Sequence, residues 1–433
     1  MALIVQKFGG DALGDKGKGR EVDLQDLHSS PPLLAEKFHH VARIVKQSVD
    51  RGDQVIVTVS AFGDTTNRLL RMAAALCEKA PARELDMLMA TGEQQSVALL
   101  ALALHAQGVD GVSFTGPQVG IRTDEIYGAS RIQSIDGEKL RALVAAGKVP
   151  IVAGFQGSTA NNEITTLGRG GSDITAVALA GAAGADSCEF YKDVDGIFTT
   201  DPRICPSARK IDRISYDEML ELASLGAGIL HSRSVEFAKK YDVPLHVRSF
   251  LHNEPGTIVT AEDKAMEQVV VSGIAFNKDE AKISVLGVPD KPGVAAELFS
   301  RLGTERIVVD VIIQSTARDN TNAIAFTVAK KDFTRAVAAC EKIAKDIGAK
   351  SIETDEKIAK VSAVGVGMRS HTGVAGKMFK ALAESGINIQ MISTSEIKIS
   401  VVIAEEDMEK AVQVTHKAFE DQSEFAITEE KTV

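Results

Sequence analysis

The sequence predicts an α/β protein with a mostly parallel sheet sandwiched by helices, followed by two ferredoxin-like α+β units. Three observations carry this. Short apolar runs rich in β-branched residues, such as 54–60, alternate with Ala- and Leu-rich helical stretches through the first 250 residues. The run 54–60 has the pattern of a buried parallel strand rather than a half-exposed one. Beyond residue 280 a weak repeat appears: KISVLGVPDKPG begins at Lys282 and KVSAVGVGMRSHTG at Lys360.

In chain order, the expected elements of the first part are strand 3–6, strand 54–60, helix 96–106, strand 149–155, helix 172–184, strand 187–191 and strand 244–247. Each repeat copy reads as strand, Gly-containing loop, amphipathic helix and strand, then a further strand and helix, the β-α-β-β-α-β pattern. Helical spacing relates Leu298 to Leu302 and Met378 to Leu382. The expected domains are 1–250, 265–345 and 346–433.

The chain has 433 residues, 44% hydrophobic and 25% charged, which suits two or three globular domains. A net charge of −10 argues against nucleic acid as the main partner. Cys77, Cys188, Cys205 and Cys340 form no CxxC pair and no zinc spacing, so reduced thiols and a cytoplasmic location are expected. MALIVQKFGG begins a strand at once, so no signal peptide is expected. The stretch 96–106 is too short to span a bilayer.

Four stretches carry chemistry, each where a strand would end. Lys7-Phe8-Gly9-Gly10 offers backbone amides and an ammonium to a phosphate, although a Gly-Gly turn also serves as a plain connection. Ser60, before Gly63-Asp64-Thr65-Thr66, suits either a ligand or a helix cap. Glu93, read as standing at a Gly turn, suits an ammonium if it lies in a cleft and is otherwise solvated. Gly168-Arg169-Gly170-Gly171-Ser172-Asp173 opens the Ala-rich helix. Its Arg fits a carboxylate bidentately, its amides fit an anion, and its Asp fits Mg²⁺ or a lysine. Downstream, the polar stretch from Lys192 to Arg203 either covers a nucleotide or is a surface loop with Asp-Gly and Asp-Pro turns.

KFGG, VSAFGDTTNRLL, TGEQQSVALLA, VAGFQGS, TTLGRGGSDITAVALA, DVDGIFTTDPR and ISYDEMLELASLGA occur in this order. Together they resemble the aspartate kinase family, of the amino-acid kinase type, and the repeat is similar to that family's paired ACT domains. The resemblance implies transfer of the γ-phosphoryl of ATP, with Mg²⁺, to the β-carboxylate of aspartate. The product, 4-phospho-L-aspartate, leads towards lysine, threonine and methionine. It implies that Lys7, Gly9, Gly10 and Ser60 hold the transferring phosphate, and that Asp173 organises the lysine. Glu93, Arg169 and Ser172 bind the amino acid, and Lys192, Asp193, Phe198 and Arg203 flank the nucleotide. In the ACT copies, Asp290, Gly293 and Gln314, and in the second copy Asn388 and Ile389, are implied to bind lysine or threonine at the seam of a homo-oligomer. No metal ligand is assigned.

The sequence departs from the family at several places. Asp11 stands where Thr or Ser is usual; a carboxylate at about 4 Å from a phosphate, at an effective dielectric of about 20, costs about 4 kcal/mol. Gly228 replaces a lysine, while Lys192 adds one where Thr or Ser is usual, so that one cation substitutes for the other. Val308 replaces an Asn in the first ACT copy, and an insertion follows the phosphate loop between Asp15 and Pro32. These departures keep two other readings open: a weak or inactive effector-binding relative, and a kinase of another acidic amino acid.

Overall fold

A computed structural model describes residues 1–14, 31–225, 229–264, 266–316 and 321–420. The chain divides into two compact units. The first comprises Met1–Ile197, Lys210–Ala223 and Gly228–Asp263; the second comprises Phe198–Arg209, Ser224–Ala227 and Lys264–Val433. The insertion between Asp15 and Pro32 and the position of Gly228 lie outside the described residues, apart from the start of the helix Pro31–Asp50.

The first unit is built on an eight-stranded sheet. Its order is Arg213–Ser215, Thr257–Thr260, Leu245–Ser249, Ser187–Lys192, Leu3–Phe8, Gln54–Val59, Val149–Ala153 and Gly111–Phe114. Every pairing is parallel except that of Leu245–Ser249 with Thr257–Thr260. Side-chain alternation along Leu3–Phe8 decides where the chemistry goes. Ile4 and Phe8 join a core with Phe38, Val41 and Val45 of the helix Pro31–Asp50 and Val97, Leu100 and Leu104 of the helix Ala82–His105. Lys7 points to the other face, where Asp173 of the helix Gly171–Ala183 meets it.

The helix expected at 96–106 is the last part of the 24-residue helix Ala82–His105. By length and composition it is apolar enough to cross a membrane. It nevertheless buries Val97, Leu100, Ala103 and Leu104 in the core of the first unit, and it carries the buried carboxylates Asp86 and Glu93. A small second sheet, in the order Ile132–Ser134, Arg122–Thr123, Gln156–Ser158 and Ile164–Thr166, leads directly into Gly168-Arg169-Gly170.

The second unit holds two antiparallel four-stranded sheets. One runs Val309–Thr316, Thr321–Ala329, Glu280–Pro289, Ser351–Asp355; the other runs Gly273–Asn277, Ile358–Val364, Lys398–Ala404, Met391–Thr394. The sequence boundary at 345/346 falls inside the helix Phe333–Ile347, and the chain then returns as Ser351–Asp355 to pair with Glu280–Pro289. The strand Gly273–Asn277 precedes the first copy yet pairs with Ile358–Val364 of the second. Each copy therefore has four strands, but the second takes one from upstream of the first. A buried cation also joins the two sheets: Lys360 Nζ lies 2.5 Å from Glu280 Oε1 and also contacts Asp310. Burial disfavours the Lys360 ammonium, but the two carboxylates outweigh that and raise its pKa.

Candidate active site and effector cavity

Four strand ends, the starts of the helices Thr65–Leu76 and Gly171–Ala183 and the middle of the helix Ala82–His105 converge in the first unit on a cavity of about 310 Å³. Lys7, Ser60, Glu93, Arg169, Ser172 and Asp173 all line it, joined by Ala61, Thr66, Phe155, Gly168, Gly170 and Gly171. Six residues singled out from sequence are thus brought together.

Its floor is an ion pair. Lys7 Nζ is 2.5 Å from Asp173 Oδ1, and both side chains are at least nine-tenths buried. Lys192, at the end of Ser187–Lys192, reaches Asp173 Oδ2 at 3.5 Å. Burial alone raises the Asp173 carboxyl, but Lys7 and Lys192 outweigh it and hold the pKa at about 2. The Lys192 ammonium is shifted down, first by burial and then by the charge of Lys7. Two ammoniums against one carboxylate leave a net positive charge at the end of the strand.

Gly9 lies beside this pair; a Cβ there would stand 3.8 Å from Lys7 Nζ. Gly10 allows a close approach instead, since a Cβ would lie 2.5 Å from the Ala61 carbonyl oxygen. Asp11 lies in the first turn of the short helix Gly10–Leu13.

Glu93 corrects the sequence reading. Thr91-Gly92-Glu93 is not a turn but lies within the helix Ala82–His105, and Gly92 is needed because a Cβ would come 2.9 Å from the Ala61 Cβ. Glu93 is 4% exposed; its Oε1 accepts from the Ala61 N–H at 3.1 Å, while Oε2 is buried with no hydrogen-bond partner among the described residues. Burial pushes its carboxyl up to about 7, against the Ala61 and Glu93 backbone N–H groups and the charge of Lys7. Arg169 is exposed and has no ion-pair partner among the described residues. The loop that carries it is fixed on both sides. Arg233 donates to the Leu167 carbonyl at 2.9 Å, and the Leu167 N–H donates to the Phe155 carbonyl at 2.9 Å.

Phe155 went unassigned in the sequence. It holds a left-handed backbone (φ 69), a strained conformation for an aromatic residue, which no local signal announces. Of the residues expected around the nucleotide, Lys192 joins the ion pair and Asp193 is exposed beside it. Phe198 and Arg203 fall in the segment Phe198–Arg209, which belongs to the second unit. There Arg203 pairs with Asp201 at 2.6 Å, and Thr199 Oγ1 meets the buried His416 Nε2 at 2.8 Å.

The second unit has its own cavity, of about 300 Å³, in the first ACT-like copy. Asp290, Gly293 and Gln314 line it as expected, together with Lys291, Asn322 and Ile324. Gly293 (φ 97) precedes the helix Val294–Thr304, whose start has no side-chain cap. Asn322 donates to Asp290 at 3.1 Å, and its own buried carbonyl oxygen has no partner among the described residues. Val308 is 75% exposed. Asn388 is exposed and Ile389 half-buried; both precede the strand Met391–Thr394 in the second copy, and neither lines this cavity.

A parallel sheet with a lysine–aspartate pair and a Gly-rich helix start at its strand ends defines a small-molecule kinase. The amino acid kinase family matches residues 2–249, and the ACT domain family matches 283–343 and 361–419. The chain belongs to the aspartate kinase branch of the amino acid kinase family. It is 50% identical over 422 residues to the aspartokinase of Pseudomonas aeruginosa, covering 97% of this chain and 98% of that one. Among solved structures it resembles Escherichia coli aspartokinase III in complex with aspartate and ADP (R-state), at TM-score 0.74 and 25% identity over 96% of this chain and 99% of that one. It also resembles the same enzyme in complex with lysine and aspartate (T-state), at TM-score 0.71 and 25% identity over 96% and 99%.

Proposed function

We propose that this chain transfers the γ-phosphoryl of ATP to the β-carboxylate of L-aspartate, giving 4-phospho-L-aspartate. One observation carries the reading: a single cavity holds an open buried carboxylate oxygen on Glu93, an arginine at 169 without an ion-pair partner among the described residues, and the Lys7–Asp173 pair, which Lys192 joins at Asp173 to make a net-positive cluster. An amino diacid puts its ammonium on Glu93 and a carboxylate on Arg169, supported by Ser172. Its other carboxylate is ionised near neutral pH and needs no base to act as nucleophile. The Lys7 ammonium and the amides of Gly9 and Gly10 stabilise charge on the transferring phosphoryl. Ser60 lines the same pocket, and Lys192 and Asp193 are assigned to the nucleotide; Phe198 and Arg203, expected there from the sequence, belong to the second unit and receive no role here.

Among the described residues no three His, Cys, Asp or Glu side chains are grouped to hold a metal ion. Asp173 is already committed to two lysines. A magnesium ion would enter with the nucleotide, bound to its phosphates, and would supply neutralisation of their charge. The reaction belongs in the cytoplasm.

The test is ADP release with aspartate, with glutamate and with no amino acid. Only aspartate is expected to support turnover well above the blank. Arg169→Ala is expected to raise the aspartate KM by about two orders of magnitude, with unchanged folding. Parent-like aspartate kinetics in that variant removes Arg169 from the site.

The second cavity supports feedback control in a homo-oligomer. We assign it to an amino-acid effector, lysine or threonine, whose carboxylate faces the uncapped start of Val294–Thr304 and whose polar atoms face Asp290, Gln314 and Asn322. Asn388 and Ile389 are assigned to the matching place in the second copy. Calorimetric titration should show one of the two amino acids binding the parent, at least about tenfold weaker binding to Asp290→Ala, and altered affinity for Val308→Asn. Binding indifferent to both substitutions refutes this placement.

A further inference from the structure

We infer that Asp86, which does not line the cavity, is a positioning residue that sets the span between Glu93 and Arg169 and so the preference for aspartate over its longer homologue. This rests on Glu93 and Arg169 being the amino-acid site.

Asp86 is 1% exposed and has no basic partner among the described residues. A buried carboxylate is costly unless its oxygens are well hydrogen-bonded. Its donors all lie beside the arginine loop. Oδ2 accepts from the N–H of Thr166 at 2.8 Å and from the N–H of Gly128 at 2.9 Å; Oδ1 accepts from the Thr166 hydroxyl at 2.7 Å.

Thr166 stands three residues before Arg169. Gly128 abuts the same loop from the other side, since a Cβ on Gly168 (φ 74) would lie 3.1 Å from the Gly128 carbonyl oxygen. Ser130 completes the grip: its N–H and its hydroxyl both donate to the Thr166 carbonyl, at 2.9 and 2.8 Å. Asp86 thus grips the strand entering the arginine loop and the segment packed against it.

Asp86 and Glu93 belong to one helix, Ala82–His105. Seven residues separate them, two turns or about 10.5 Å along the axis, on one face. Between them the buried Gln156 donates to the Ala90 carbonyl at 2.9 Å, tying the helix to the hairpin that carries the loop. The helix therefore acts as a ruler. One carboxylate receives the ammonium, and the other fixes where the arginine that receives the carboxylate begins.

The experiment is steady-state kinetics of the full chain with aspartate, glutamate and ATP. Asp86→Ala is expected to raise the aspartate KM about ten- to a hundredfold, to leave the ATP KM at the parent value, and to lower the aspartate-to-glutamate ratio of kcat/KM. Asp86→Asn should recover most of the loss. Its amide oxygen can accept both N–H groups, and its NH₂ can donate to the Thr166 hydroxyl. If Asp86→Ala does not fold, Thr166→Val, which removes only the hydroxyl donor, should show a smaller shift in the same direction. A folded Asp86→Ala, or in its place Thr166→Val, with parent aspartate KM and selectivity overturns the inference. So does a parallel rise of both KM values at unchanged selectivity, which marks a merely structural role. Arg169→Ala is run beside them: if it raises the aspartate KM while the Asp86 variants do not, only the ruler fails, and if it too leaves that KM unchanged, the site reading falls as well.

Discussion

Replacing Asp173 by asparagine is expected to destabilise the ligand-free protein by about 3–5 kcal/mol and to lower kcat by about two to three orders of magnitude. Among the described residues, Asp173 is the one carboxylate ion-paired with both Lys7 and Lys192, at 2.5 and 3.5 Å. Its pKa is depressed from 3.8 to about 2. The stability it contributes is therefore fully present above pH 3.8, is lost as pH falls through about 2, and amounts to roughly 2 kcal/mol. The variant loses more than this, because asparagine leaves the buried Lys7 ammonium and the half-buried Lys192 ammonium without the anion they share. Nucleotide phosphates can supply that anion. Melting curves with and without ADP should show a larger ligand-induced rise in Tm for the variant than for the parent. The kcat loss has a different origin: Lys7 remains but is no longer held in line. A variant with parent Tm and kcat would show that the pair is incidental to both folding and transfer.

Much of this site was legible because its loops are written in glycine. KFGG and GRGGSD announce close backbone approaches, and Gly10 and Gly170 meet that expectation. A Cβ on Gly10 would strike the Ala61 carbonyl, and one on Gly170 would lie 2.4 Å from the His231 ring. The same rule misled at Gly92. Glycine in a helix interior costs about 1 kcal/mol relative to alanine, so a Thr-Gly-Glu triplet reads as a turn. Here the helix continues because it must pack against Ala61, a tertiary demand invisible in the local sequence. Asp86 escaped notice for a related reason. An acidic residue near a helix start reads as a solvated partner of the helix dipole, and its donors lie about 40 and 80 residues away.

The ACT-like repeat was legible because its two copies, from Lys282 and from Lys360, resemble each other along the sequence and share helical spacing. The pairing of Gly273–Asn277 with Ile358–Val364 was not, because strand partners so far apart leave no mark on either strand alone. The division of the segment after Lys192 was equally hidden: Asp193 stays with the first unit, while Phe198 and Arg203 belong with the second.

Glu93→Gln is expected to separate stability from function. The Glu93 carboxyl is raised from 4.5 to about 7, by burial first of all. The unfolded chain ionises it near 4.5 and the folded chain only near 7. Stability therefore falls as pH rises between those values and stays lowered above them, by about 3 kcal/mol. Glutamine keeps an oxygen for the Ala61 N–H and carries no charge to bury. At pH 8 the free variant should be the more stable protein, by up to about 3 kcal/mol, which chemical denaturation measures. Its aspartate KM should nevertheless rise about a hundredfold, since the charge that receives the ammonium is gone. The pH profile adds an independent sign. In the parent, kcat/KM for aspartate should fall about tenfold per unit as pH drops below about 7, following protonation of the free enzyme. That acid limb should vanish in Glu93→Gln. A parent profile flat from pH 5.5 to 8, or a glutamine variant that keeps both the limb and the KM, would separate Glu93 from the amino acid altogether, and the open oxygen at Oε2 would then need another donor.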